Sequence, residues 1–234
     1  IASLNYSADK LSATFGGGWN KYDGDHFGKV VGKPNYEYYR NNAKKTDYNV
    51  YGKASYEFLE GMSAFVDLQY RHVNYTMQDP TDSYGSNADG KYIIDDDFNF
   101  FNPKFGINYD FLPGQRLYIS YAIAHREPTR NDYEDNLGTK MKSERLSDLE
   151  VGYKYQSKTF SAGANFYYMD YKDQFVLTGE LTNIGEAIAK NVGSSYRMGV
   201  ELEAAWMPVD WFRWDANATW SKNRAKDWTI TDND

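Results

Sequence analysis

Long stretches of this chain alternate between apolar and polar residues over about twice the length of an ordinary strand. Between Asp47 and Phe58, Tyr48, Val50, Gly52, Ala54, Tyr56 and Phe58 fall on one face. Asp47, Asn49, Tyr51, Lys53, Ser55 and Glu57 fall on the other. Leu117-Ile119-Tyr121-Ile123 stands against Tyr118-Ser120-Ala122-Ala124, and Phe212-Trp214-Ala216-Ala218-Trp220 against Arg213-Asp215-Asn217-Thr219-Ser221. A period of two means strand, because successive side chains point to opposite sides of a sheet. Strands of soluble proteins average roughly five to six residues. Crossing a bilayer takes about nine to eleven, apolar outside and polar inside. The pattern predicts an all-β fold, an antiparallel transmembrane β-barrel of the bacterial outer membrane.

The mean hydropathy of -0.77 does not oppose this. Half of each barrel strand faces a polar lumen, so the average cancels. No run approaches the roughly 18 apolar residues of a transmembrane helix. Aromatic residues make up 18% of the chain, with 22 Tyr, 13 Phe and 6 Trp. Tyr and Trp favour the membrane–water boundary, where the ring is buried and the polar tip is wet. There is no cysteine, hence no disulfide and no thiolate metal site. A net charge of -7 speaks against nucleic acid as a partner.

Ten strands are expected, near 1–8, 10–22, 46–58, 62–78, 97–111, 116–127, 144–156, 160–178, 192–207 and 211–227. Short connections fall at Asp9-Lys10, Leu59-Glu60-Gly61, Leu112-Pro113-Gly114-Gln115, Ser157-Lys158-Thr159 and Pro208-Val209-Asp210, where Gly, Pro and Asp favour turns. Long polar connections fall at 23–45, 79–96, 128–143 and 179–191. Short and long alternate without a miss, as periplasmic turns and outer loops do in outer-membrane barrels. In that order residue 1 and the stretch 229–234 both sit at the outer rim, so the chain is expected to be a piece of a longer barrel. An open sheet edge in lipid would leave backbone groups unpaired.

Three stretches within 117–201 resemble the barrel domain of TonB-dependent outer-membrane receptors. The first is Leu117 to Pro128, which is similar to a family strand that leaves the membrane on an aromatic, an Arg and a Pro; His125 stands where the aromatic is common. The second is Met141-Lys142-Ser143-Glu144 followed by Glu150-Val151-Gly152, against the family's Leu-Lys-Pro-Glu and Glu-x-Gly. The third is Asn191-Val192-Gly193 followed by Gly199-Val200-Glu201-Leu202-Glu203. The resemblance implies that residues 1–234 are about ten strands of a 22-stranded barrel, with the plug domain and the TonB-contacting segment outside this chain. It implies active import driven by TonB, with an iron complex (siderophore or haem) as the usual cargo and cobalamin or a glycan as others.

Candidate cargo-binding residues follow from chemistry and position. Tyr36, Tyr38, Tyr39 and Arg40 in the expected loop 23–45 suit a flat anionic ligand through stacking and cation–π contact. The other reading makes these rings loop packing or part of the aromatic girdle. Arg126, Arg130 and Tyr133 stand on a charged rim after a lumen-lining strand, where Arg126 either meets anionic cargo or pairs with Glu127 or Glu144. Glu144, Glu150, Glu201, Gly152 and Gly199 read as lumen-wall architecture, with the carboxylates able to meet Arg or a plug. Gly16-Gly17-Gly18 precedes no helix and fits no phosphate fingerprint; it is expected to relieve crowding between backbones.

No catalytic residue, resident metal or cofactor is expected. Asn87-Ala88-Asp89-Gly90 lacks the EF-hand acid two residues earlier, where Gly85 stands. His26, His72 and His125 lie on separate segments without a metal-ligand spacing. Two alternatives to a receptor stay open. One is a surface hydrolase using His72 or His125 with Asp67 or Asp132; the other is a passive porin, though no loop is marked as a constriction.

Overall fold

The computed structural model describes residues 1–79, 90–181, 185 and 187–226, with the side chains of Pro34, Asn35 and Tyr38 excepted. Ten strands form one sheet in unbroken chain order. They are β1 (Ala2–Ala8), β2 (Leu11–Val30), β3 (Lys33–Leu59), β4 (Met62–Gln78), β5 (Tyr92–Leu112), β6 (Gln115–Arg126), β7 (Glu144–Gln156), β8 (Phe160–Leu181), β9 (Ala187–Val209) and β10 (Phe212–Lys226). Among the described residues one short helix, α1 (Arg130–Glu134), interrupts the series. β1 and β10 are the two edges of the sheet.

All five short turns are present; four carry a Gly, Pro or Asp, and in the fifth the Ser157 hydroxyl accepts the Phe160 N–H at 3.0 Å. Gly61 and Gly114 take positive φ values of 72° and 73°. Side chains are excluded there twice over: a Cβ at Gly114 would lie 2.0 Å from the Gln156 carbonyl oxygen, and one at Gly61 2.5 Å from that of Asp110. These close approaches carry ladder bonds across the turns. Asp110 N–H donates to the Gly61 carbonyl at 2.7 Å and Gln156 N–H to that of Gly114 at 2.7 Å.

The expected long loops 23–45 and 179–191 are corrected by the structure. Residues 23–45 are a β-hairpin: β2 runs on to Val30, β3 begins at Lys33, and Val31-Gly32 alone turns the chain. β3 is 27 residues long, far more than the roughly nine to eleven that span a bilayer. β8 likewise extends to Leu181 and β9 starts at Ala187. Beyond the membrane both faces of a strand meet water, so the apolar–polar alternation fades. The backbone ladder needs no such alternation and continues. The stretch 128–143 stays irregular apart from α1. Residues 87–89 and 229–234 lie outside the described residues.

The chain divides into two compact units. The first holds Ile1–Leu4, Phe15–Tyr51 and Gln69–Phe100. Val73 and Met77 are fully buried in it, with Ala43 and Phe100 nearly so. Gly16-Gly17-Gly18 does relieve crowding: added Cβ atoms would lie 2.6 Å from the Tyr51 hydroxyl at Gly16 and 2.7 Å from the Asn49 carbonyl oxygen at Gly17. Arg71 donates from Nε to Asp47 at 2.9 Å.

The second unit holds Asn5–Thr14, Gly52–Leu68 and Phe101–Asp234. Its ladders sort residues into lateral rows. Tyr118, Gly152, Asn165, Glu201 and Thr219 lie side by side across β6 to β10. The next row is Ile119, Val151, Phe166, Val200 and Trp220 on the opposite face. The apolar row is the open one: Ile119 is 47% exposed while its neighbour Ser120 is 8% exposed. That inverts the burial order of a soluble sheet and marks the apolar face as lipid-facing. Near the turns the same face carries rings, with Tyr155 and Phe160 at 6.2 Å and Trp206 and Phe212 at 6.2 Å between centroids. Tyr153 donates its hydroxyl to Gln115 Oε1 at 2.9 Å, a wet tip on a greasy body as a girdle requires.

A charge on the lipid face at bilayer depth costs about 2–4 kcal/mol. In the full-length barrel refolded into lipid vesicles, Val151→Lys is expected to lower unfolding stability by about that amount, and Thr219→Lys, on the opposite face, by much less. Equal losses in urea unfolding would refute this assignment of faces.

Candidate ligand-binding site

The candidates from the sequence fall into two clusters, one in each unit. In the first unit, Arg40 on β3 reaches across the hairpin to β2. Its Nη1 donates to Asp25 Oδ2 at 2.7 Å, and its Nε and Nη2 donate to the two Glu37 oxygens at 2.7 Å each. The guanidinium lies 4.7 Å from the Phe27 ring centre, and Lys29 5.3 Å from the same ring. Asn42 adds amide bonds to Asp23 and Asp25 at 3.0 Å, and Tyr92 donates to Asn42 at 2.8 Å. Tyr36 is exposed and Tyr39 half-buried; the Tyr38 side chain lies outside the described residues. The expected cation is thus present, on a paired strand, with its donors shared among two carboxylates and an aromatic ring.

These contacts set the acidities. Hydrogen bonds from Asn42 and then Arg40 hold Asp25 below its ordinary value, and the Arg40 hydrogen bonds do the same for Glu37. The same pairing raises Arg40 further above its already high value.

In the second unit, Arg126 closes β6. It lies 3.6 Å from Glu144 and 4.5 Å from the centre of the Phe175 ring. Glu144 also accepts the Phe175 N–H at 3.0 Å. Of the two pairings open in the sequence, the one with Glu144 is present. Arg130 pairs with Glu134 one helical turn on. Tyr133 is 2% exposed, so its ring packs beneath the rim and offers no face to a ligand. α1 begins with a capping box in which Thr129 and Asp132 satisfy each other's backbone N–H.

Sequence reasoning missed the clamps that hold this rim. Asn136 donates to the carbonyls of Asp132 at 2.8 Å and Ala189 at 2.9 Å. Asn191 donates to the carbonyls of Lys142 at 3.1 Å and Asp173 at 2.7 Å, and accepts the Lys142 N–H at 3.0 Å. The Asn191-Val192-Gly193 stretch was a visible signal, but only folding brings Lys142 and Asp173 to it. Asp173 itself sits at a positive φ of 53°.

On the polar face, Tyr118, Glu150, Lys154, Asn165, Glu201 and Glu203 line a cleft of about 390 Å³. Tyr118 donates to Asn165 at 2.9 Å. Its ring lies over Gly152, where a Cβ would come within 2.2 Å of it, and the Tyr167 hydroxyl lies over Gly199 in the same way at 2.6 Å. The two glycines are wall residues that make room for tyrosines. Among the described residues no group of three or more His, Asp or Glu is disposed to hold a metal ion.

Comparison with known proteins places this geometry. The family profile described as "TonB dependent receptor-like, beta-barrel" matches residues 2–234. The chain belongs to the TonB-dependent receptor family. It is therefore a barrel segment of the bacterial outer membrane. No curated protein matches it. Among solved structures it resembles the copper transporter OprC, with a TM-score of 0.73 at 16% identity over 95% of this chain and 36% of that one. It resembles the FrpB iron transporter from Neisseria meningitidis (F3-3 variant), with a TM-score of 0.66 at 17% identity over 95% and 34%. It also resembles the ferric yersiniabactin uptake receptor FyuA from Yersinia pestis, with a TM-score of 0.66 at 16% identity over 96% and 35%. At such identities the likeness is one of fold, and the chain spans about a third of the length of these receptors.

The hydrolase alternative gains nothing from the TonB-dependent receptor geometry. Asp67 pairs with Lys53 at 3.2 Å and Asp132 caps α1. His72 Nδ1 lies 3.0 Å from Asn99 Oδ1, and His125 Nδ1 lies 2.8 Å from Asn102 Oδ1.

The depressed carboxylates give a pH signature. A lowered folded-state pKa contributes stability above the unfolded value, lost as pH falls through the folded one. A spin label on Val31→Cys at the hairpin tip is expected to keep the same mobility from pH 8 to pH 5. Mobility should rise only at pH below the ordinary carboxylate range, since their hydrogen-bond partners hold Asp25 and Glu37 ionised through it. A change already near pH 6 would show that other groups hold the hairpin.

Proposed function

We propose that the full-length protein is an active-transport receptor that binds a scarce nutrient at the cell surface and imports it with energy delivered through TonB. Residues 1–234 supply ten strands of its barrel wall, and a plug domain outside this chain fills the lumen. The cargo is an iron complex, a siderophore or haem; cobalamin and glycans are the competing cargoes. The observation that carries this reading is the family match over residues 2–234. Support for a metal-bearing cargo comes from the likeness in fold to a copper transporter, an iron transporter and a ferric yersiniabactin uptake receptor.

In this reading Tyr36, Tyr39 and Arg40 on the outer hairpin, and Arg126 on the rim, meet the cargo. Tyr38 shares that hairpin. Arg130 and Tyr133 hold the rim in place. Arg126 suits an anionic carrier because its charge is only loosely matched: Glu144 lies 3.6 Å away and the Arg126 side chain is 46% exposed. Phe175 beneath it supplies a flat wall. Glu150, Glu201 and Glu203 present carboxylates to the lumen, where basic groups of a plug would find partners.

The test is a binding screen of the full-length protein against ferric siderophores, haem, cobalamin and oligosaccharides by calorimetry. One ferric complex is expected to bind. Loss of a charged hydrogen bond in Arg126→Ala should weaken it about tenfold or more, and loss of ring contact in Tyr39→Ala severalfold. Binding of oligosaccharide alone would overturn the cargo class, and unchanged affinity in both variants would overturn the site.

A further inference from the structure

We propose that the lipid-facing side of β7 to β10 carries a binding site for the phosphate groups of a glycolipid in the outer leaflet. The inference rests on cross-strand register and does not depend on the cargo. The lipid face of β10 reads Phe212, Trp214, Ala216, Ala218, Trp220 and then Lys222, Arg224, Lys226. The switch from rings to cations is abrupt and continues across the sheet. Arg145, Lys172, Ser194 and Lys226 form one lateral row, and Ser147, Asp170, Tyr196 and Arg224 form the next. Leu149, Tyr168, Met198 and Lys222 follow.

Five cations thus share the face with a single acid, Asp170. All five are exposed, and none forms an ion pair among the described residues. Adjacent strands lie about 4.8 Å apart, so the four strands make a patch about 14 Å wide.

Position decides what the patch meets. On β8 the apolar face runs from Phe160 to Tyr168, about 26 Å of strand at 3.3 Å per residue, which at the roughly 40° tilt of such barrels covers about 20 Å of their roughly 25 Å apolar band. Asp170 and Lys172 come directly after it. The cations therefore stand where acyl chains end and headgroups begin, on the loop side. The turn end of the same face offers Tyr155, Phe160, Trp206 and Trp214 and no cation. A need for solubility would favour acids and bases equally at a wet rim. Five bases beside one acid, continuous with a lipid-facing aromatic band, fit an anionic headgroup whose own chains cover that band. Lys and Arg at a membrane surface attract such headgroups, each by about fivefold in affinity.

The experiment uses the purified full-length protein with lipid A bearing its phosphates, and the same lipid dephosphorylated, followed by native mass spectrometry. The wild type is expected to retain the phosphorylated lipid and not the dephosphorylated one. The triple variant Lys222→Gln, Arg224→Gln, Lys226→Gln should lose retention by on the order of a hundredfold. The double variant Arg145→Gln, Lys172→Gln should lose about twenty-five-fold. Replacing the lysines by Arg should keep retention, and heat-modifiable migration in gels reports that each variant is folded. If a Gln set does not fold, Lys172→Gln alone decides, with an expected loss of about fivefold. Equal retention by wild type and folded variants, or of both lipids, would overturn the proposal. So would displacement of the lipid by millimolar inorganic phosphate, which would mark a site for the free anion.

Discussion

An amide group left unpaired in hydrocarbon costs several kcal/mol, and every strand of this sheet is organised around avoiding that cost. Strands β2 to β9 each pair on both sides, in chain order, with no crossover. The tight turns make that order possible, since a two- or three-residue connection can only return the chain beside the strand it left. Gly61 and Gly114 are the extreme points: the neighbouring backbone comes so near that neither a side chain nor a negative φ is compatible with the ladder.

Once pairing is settled, the two faces divide the remaining work. Lipid takes the apolar rows, so these side chains gain nothing from each other and need not interdigitate. The opposite face stays polar and is kept open by small residues beneath large ones. Gly152 under Tyr118 and Gly199 under Tyr167 let phenol rings lie flat against the wall. Flat rings and a carboxylate-lined cleft leave room for another body in the lumen. The rim is then fixed by asparagines bonding backbone to backbone, with Arg126 held lightly between Glu144 and Phe175.

Much of this was legible beforehand. The faces of 47–58, 117–124 and 212–221 and the positions of the five turns follow from period and turn chemistry. The hairpin at 23–45 was not legible as strand. Its polar residues occupy both faces because both faces are wet, which removes the only periodic signal a sequence offers. Arg40 was recognised as a cation near aromatics, but its attachment to Asp25 is a cross-strand contact that depends on where β2 ends. Tyr133 read as an exposed rim aromatic, yet the turn of α1 sends it inward.

By itself the sequence determined that the chain spans a membrane with β-strands, which residues face lipid, and where the short turns fall. Those are local matters of alternation and backbone geometry. Only the tertiary structure decided how far the strands continue past the bilayer, which groups neutralise Arg40 and Arg126, and that Arg145, Lys172 and Lys226 stand in one row. These depend on the register between strands, which places residues far apart in the chain side by side and is written in no single segment.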